Sequence, residues 1–251
     1  MDRDNLKQQL EANEPQKEAS EFLKEIKIDD DGEHSPDNII QIYENSNFKL
    51  GTAGRIYDCS IILAKYLLKQ NDEGNCKLRG KNILELGCGT GCLSLFLASQ
   101  GANVVATDLK ITQNFVEKNL QMNKELVDCH QGTVKFVALD WNEQEEKIFQ
   151  ILKSDFGFQK IDYIVASDTY FNSAMLNVFS RLLKSVSTYY QQEGCSFDVF
   201  VAYKQRLHED INQDPILQTF QDYKFIGERI HKSELDSNYK QKDIEIFKLE
   251  F

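Results

Sequence analysis

The chain has no excess of positive charge, no Cys-x-x-Cys pair and no apolar run of membrane-spanning length. Each absence closes a class. A protein that tracks a phosphate backbone needs a basic footprint, whereas the formal net charge here is −11. The imbalance is steepest at the start: residues 1–47 hold 13 acids and 5 bases, the rest of the chain 27 and 24. No nucleic-acid partner is expected. The six cysteines, at 59, 76, 88, 92, 129 and 195, lack a paired spacing and a histidine-rich partner segment, so they read as reduced thiols and not as a disulfide framework or metal site. A membrane helix takes about 20 consecutive apolar residues, and nothing of that length occurs. No secretory-leader pattern follows Met1. Internal repeats and low-complexity tracts are missing too. A monomer with no membrane partner is expected, in the cytoplasm and also in the nucleus.

What is present is an alternation. With 251 residues, 41% of them apolar, the chain can build one α/β domain plus an extension. Strands are expected at 82–86, 103–107, 134–139, 161–167 and 197–203. Helices are expected at 57–68, 91–99, 111–122 and 173–190. Strands alternating with helices imply a parallel sheet covered on both faces. In the tail, Asp214-Pro215 opens a short helix from Ile216 to about Tyr223. Phe225–His231 and Asp243–Leu249 then read as strands that close the sheet edge antiparallel. Residues 142–160 read as a long charged connection. Ahead of the sheet, Asn38–Tyr43 and Phe48–Leu50 read as a small hairpin. Residues 1–37 read as a solvated acidic arm, with a short helix over Glu18–Ile28 on which Phe22, Leu23 and Ile26 share a face. The domain boundary is therefore expected at residue 38.

The most informative segment is Glu85-Leu86-Gly87-Cys88-Gly89-Thr90-Gly91. It follows the apolar run Asn82-Ile83-Leu84 and leads into Leu93–Ala98, a strand–turn–helix pattern. Glycines there let the backbone turn sharply and come close to a ligand. The next strand ends in Asp108, near the spacing at which a βαβ unit presents an acid to a ribose. A dinucleotide fingerprint does not fit, because Cys92 stands where its third glycine belongs. A P-loop does not fit either, since no Gly-Lys-Ser/Thr closes the turn. Glu85 would repel a pyrophosphate and suits a ligand with an ammonium group. S-adenosylmethionine has that ammonium, a ribose diol and no phosphate. Asp140-Trp141 follows the third strand, where an indole can pack on adenine and an acid can accept from its amino group. Ser167-Asp168-Thr169-Tyr170-Phe171-Asn172 ends the fourth strand with a carboxylate and aromatics at the mouth of the sheet. It lacks the prolines of the motif that methylates bases and glutamine.

With Gly51-Thr52-Ala53-Gly54-Arg55-Ile56-Tyr57-Asp58 added to these, the chain resembles methyltransferase family 16, the mostly lysine-directed seven-β-strand methyltransferases, over about residues 38–251. The resemblance implies a Rossmann-like α/β fold: seven strands, mostly parallel, with an antiparallel C-terminal strand and helices on both faces. It implies S-adenosylmethionine as cofactor and a protein substrate modified on lysine. It assigns Asp168 and Phe171 to catalysis. It assigns Tyr57, Glu85, Gly87, Gly89, Gly91, Asp108, Asp140, Trp141 and Ser167 to the cofactor. The family usually has tryptophan where Tyr57 stands, which keeps an aromatic face. No metal site is implied. The residues also admit a histidine- or small-molecule-directed enzyme, or a non-catalytic interaction protein that uses the acidic arm.

Overall fold

The computed structural model describes residues 21–30, 32, 36–46, 48–170, 172–205, 215–235 and 243–251. Their strands are β1 Glu21–Lys27, β2 Ile39–Asn45, β3 Asn82–Leu86, β4 Asn103–Asp108, β5 Thr133–Ala138, β6 Tyr163–Ser167, β7 Asp198–Lys204, β8 Ile226–Arg229 and β9 Ile244–Glu250. Their helices are α1 Asp58–Asp72, α2 Cys92–Ala98, α3 Gln113–Met122, α4 Lys124–Cys129, α5 Glu145–Ser154, α6 Ser173–Gln192 and α7 Pro215–Asp222.

The main sheet runs in the order β5-β4-β3-β6-β7-β9-β8. The pairs from β5 to β7 are parallel; β9 is antiparallel to both β7 and β8. The expected seven-stranded fold is therefore the observed one. Parallel strands need both faces covered, and two apolar clusters do this. One packs α1 and α2 against the sheet through Ile62, Leu63, Leu67, Leu93, Phe96 and Leu97. The other packs α5, α6 and α7 through Leu152, Phe179, Leu183, Val186 and Phe220. All seven residues of α2 are buried, which explains why its sequence is apolar on every face but for Ser94, and not amphipathic. Strand order reverses between β3 and β6. Such a switch point leaves a crevice at the carboxyl ends of the strands.

Three expectations are corrected. Residues 21–27 form a strand and not part of a helix: β1 pairs antiparallel with β2, Ile26 opposite Ile40 and Phe22 opposite Glu44. The apolar face read there is split: Phe22 and Leu23 stay 52% and 46% exposed, while Ile26 packs against the core. Strand β1 supplies backbone partners that β2 requires, and such tertiary demand overrides local propensity. The boundary expected at residue 38 thus falls between two paired strands. Ile28 lies in the core, and Lys65 of α1 donates to Ile28 O at 2.6 Å and pairs with Asp30 at 2.9 Å. Second, residues 48–54 form a 3₁₀ segment and not a strand, broken at Gly51 with φ 54°. Third, the connection 142–160 contains α5, anchored by buried Ile148 and Leu152 one turn apart. Helix α4 was not anticipated either.

Candidate functional site

The glycine turn sits on top of β3. Gly87, Gly89 and Gly91 have φ of 75°, 54° and 82°, a region open to glycine at little cost. Its first amides bond back to β4: Gly87 N and Cys88 N both donate to Thr107 O, at 2.9 and 2.8 Å. Over the turn lies a cavity of about 440 Å³, within the range of small-molecule sites. It opens at the carboxyl ends of β3, β4, β5 and β6.

Of the residues named from the sequence, Tyr57, Gly87, Gly89, Asp108, Asp140, Trp141, Ser167 and Asp168 line this one cavity. Tyr57 comes from the start of α1 and Asp108 from the end of β4. Each oxygen of Asp108 accepts one backbone N–H, from Gly89 at 2.8 Å and from Leu109 at 2.7 Å. Burial raises its carboxyl above the ordinary range, and those two N–H groups oppose the rise. Asp140 accepts from Asn142 N at 2.9 Å, a turn that turns the chain under Trp141. The Trp141 ring rests against Phe179, centroids 5.6 Å apart. Asp168 has φ 54°, rare for a residue with a Cβ, and its N–H donates to Ala202 O at 2.9 Å. Such strain tends to gather at functional sites.

Two named residues do not reach the cavity. Gly91 faces α3: a Cβ there would meet Leu120 Cδ2 at 3.3 Å and Val116 Cγ1 at 3.4 Å. It serves helix packing, not ligand approach. Glu85 is fully buried beneath the turn, where Ser94 Oγ donates to it. Its Oε1 has no hydrogen-bond partner among the described residues. The strand places its side chain inward, because successive side chains alternate across the sheet. Phe171 lies outside the described residues. Tyr170 is core, stacked on Tyr203 at 4.8 Å.

Burial pushes the Glu85 carboxyl up to about 7 from its ordinary 4.5. Below pH of about 4.5 it is neutral in both folded and unfolded chains. Between about 4.5 and about 7 the unfolded chain releases its proton while the folded one retains it, so stability falls as pH rises through that window and levels off above it. Glu85→Gln should abolish this slope. Chemical denaturation at pH 4.5 and pH 7.5 should show the wild type losing about 3 kcal/mol more than the variant; parallel pH profiles would refute the assignment.

Sequence reading did not single out Leu50, Leu109, Ile111, Asn142, Met175 or Val178 for the site, and they also line the cavity. Leu109 and Ile111 remain 47% and 57% exposed. Two exposed apolar side chains directly after a ribose-spaced acid were the available signal. Cys88 also lines the cavity, and burial pushes its thiol well above the ordinary value, so it stays protonated. Among the described residues no cluster of His, Cys, Asp or Glu is arranged to hold a metal ion. No described helix is long and apolar enough to cross a membrane.

A family profile described as lysine methyltransferase matches residues 34–219. EEF1A lysine methyltransferase 3 of Mus musculus is 32% identical over 102 residues, 41% of this chain and 40% of that protein. A histidine protein methyltransferase 1 homolog of Dictyostelium discoideum is 26% identical over 142 residues, 56% of this chain and 40% of that protein. The chain thus spans about two-fifths of the length of these relatives. Among solved structures, a METTL16 MTase domain superposes with a TM-score of 0.51 at 13% identity, over 78% of this chain and 69% of that one; this likeness is one of fold. The matched stretch contains every residue of the cavity wall, from Leu50 to Val178, and on that match the chain belongs to the lysine methyltransferase family.

Proposed function

We propose that the protein transfers the methyl group of S-adenosylmethionine to a lysine side chain of a protein substrate. The observation that carries this is the joining of Asp108, the glycine turn and Asp168 in one cavity. Three features support the donor. Gly87 forms a cradle that a Cβ would fill. Asp108 uses one acceptor site on each oxygen for the backbone, which leaves further lone pairs for a ribose diol. Among the described residues Arg55 is the only cationic side chain on the cavity wall, against Asp108, Asp140 and Asp168. That balance suits a ligand with positive charge and without phosphates.

When bound, S-adenosylmethionine supplies a methyl carbon activated by its sulfonium. The chain's own residues orient and exclude water. Asp108 holds the ribose end, Trp141 backs the adenine, and the glycine turn brings the backbone against the remainder. Asp168 aligns the acceptor nitrogen, and orientation of this kind lowers barriers substantially. A free lysine, with a pKa of about 10.4, attacks only after losing a proton. Apolar walls favour the neutral amine by desolvation, and solvent takes the proton. An acid beside an ammonium raises its pKa, so Asp168 acts by alignment and not as the base.

Trp141 is the single tryptophan, so its fluorescence reports the adenine end alone. Addition of S-adenosylhomocysteine should change that emission. Binding seen by calorimetry with no change in emission would remove Trp141 from the adenine site.

The acceptor is tested with recombinant protein, labelled donor and cell extract, treated with nuclease or with protease. Protein label that mass spectrometry maps to lysine is the expected result. Label that survives protease and vanishes with nuclease would overturn it. Label on histidine would keep the family and change the acceptor, the reading favoured by the similarity to the histidine-directed relative. Label confined to small molecules would replace the substrate class.

A further inference from the structure

We infer that Asn119, which stands behind the glycine turn on α3, is a positioning residue for the methyl donor. The inference rests on the donor assignment above and extends it to a residue outside the cavity. Asn119 is fully buried, and its amide is used three ways. Oδ1 accepts from Tyr43 N at 2.9 Å, while Nδ2 donates to Tyr43 O at 3.2 Å and to Thr90 O at 3.0 Å. The first two bonds imitate a neighbouring strand on the edge of β2 that faces away from β1. The third reaches the glycine turn, at a residue that lines the cavity.

A built-in control lies one helical turn on. Asn123 makes the same pair of bonds to β2, accepting from Gln41 N at 2.8 Å and donating to Gln41 O at 2.7 Å. Its remaining bond goes to Asn119 O at 2.8 Å and not to the turn. Two asparagines therefore hold one strand in the same way, and only one of them also holds the donor cradle.

The cradle needs that hold. Three glycines within five residues leave its backbone with unusual dihedral freedom. Gly89 N is fixed to Asp108 Oδ2 at 2.8 Å and Gly91 N to Cys88 O at 2.8 Å. The Thr90 carbonyl is fixed by Asn119. Without that donor a buried carbonyl is left unpaired, which is unfavourable, and rotation of its peptide plane towards another partner carries Gly91 N–H along. Donor binding would then have to order the turn, at a cost in affinity. The hairpin also holds the facing wall. Glu44 Oε1 accepts from Ile56 N at 3.0 Å, and Gly54 packs so tightly that a Cβ there would lie 2.2 Å from Asn45 O. Both sides of the cavity are thereby tied to β2, through Asn119 on one side and Glu44 on the other.

The test uses the full chain with Asn119→Ala, Asn123→Ala and Asn119→Asp, reading Tm together with the Kd for S-adenosylhomocysteine by calorimetry. Both alanine variants should lose Tm to a similar extent, because each gives up two bonds to β2. Only Asn119→Ala should raise the Kd, by about tenfold, with Asn123→Ala within about twofold of wild type. Asn119→Asp keeps an acceptor for Tyr43 N but has no N–H for Thr90; it should match Asn119→Ala, and it carries the test if the alanine variant does not fold. Equal Kd values in the Asn119 and Asn123 variants, whether both unchanged or both raised, would make Asn119 merely structural and overturn the inference. Failure of the folded wild type to bind S-adenosylhomocysteine would overturn the donor assignment itself.

Discussion

Gly87→Ala is expected to weaken S-adenosylhomocysteine binding by about a hundredfold or more, an effect of roughly 3 kcal/mol. At φ 75° a Cβ costs folding about 1–2 kcal/mol, with or without a ligand, and the loss of affinity comes from the wall. The added carbon would also lie 2.7 Å from Thr169 Cγ2 and 3.0 Å from Trp141 Cζ2. Neither neighbour is a loose chain end. Trp141 is backed by Phe179, and Thr169 is held in the tight exit from β6 between Asp168 and buried Tyr170. The wall that must yield is the one that shapes the donor site. Gly80→Ala isolates the backbone part: its φ is 72°, and a Cβ there meets nothing within 4 Å. That variant should lose stability and keep donor affinity. Calorimetry on both variants decides the matter, and a Gly87→Ala protein binding within about threefold of wild type would show that the cradle is not where the donor lies.

Asp168→Asn is expected to lower kcat for protein methylation by about a hundredfold while leaving donor affinity unchanged. Asparagine is the informative replacement. It tolerates the left-handed backbone that Asp168 adopts at φ 54°, so the chain path out of β6 survives and only the charge is lost. Alanine would confound the two. Donor affinity should hold because the proposed donor contacts, Asp108 at the end of β4 and the glycine turn after β3, lie on other strands. Single-turnover kinetics with labelled donor separates binding from transfer. Unimpaired transfer in a folded Asp168→Asn protein would take Asp168 out of the reaction, and a parallel loss of donor affinity would move it from the acceptor side to the donor side.

The parts of this protein legible from its order of residues are those written in local pattern. Strand β3, the glycine turn and helix α2 follow from Asn82–Ala98, where apolar runs flank three closely spaced glycines. Asp108, Trp141 and Asp168 were legible because each directly ends or follows an apolar strand, and strand ends in a parallel sheet converge on one edge. Local pattern also misled. Phe22, Leu23 and Ile26 have helical spacing, yet β2 needed an antiparallel partner and took that segment as one. Glu85 has the charge for an ammonium ligand, but the pleat of β3 points it inward to Ser94. Gly91 belongs to the glycine motif, but its open side faces Leu120 and Val116 of α3.

Alternation of strand and helix, with glycines at one turn and acids at three strand ends, was sufficient for the fold class and for the edge of the sheet where the cavity opens, while the family rested on a resemblance of motifs. These are properties of short segments, and short segments carry their own periodicity and dihedral preferences. Long-range contact decided which acid enters the cavity and which supports it from below. It also joined Tyr43, 76 residues before Asn119, to the glycine turn through the Asn119 amide. No periodicity encodes such a bond, because it exists only once packing has brought β2, α3 and the turn together and left buried amides and carbonyls in need of partners.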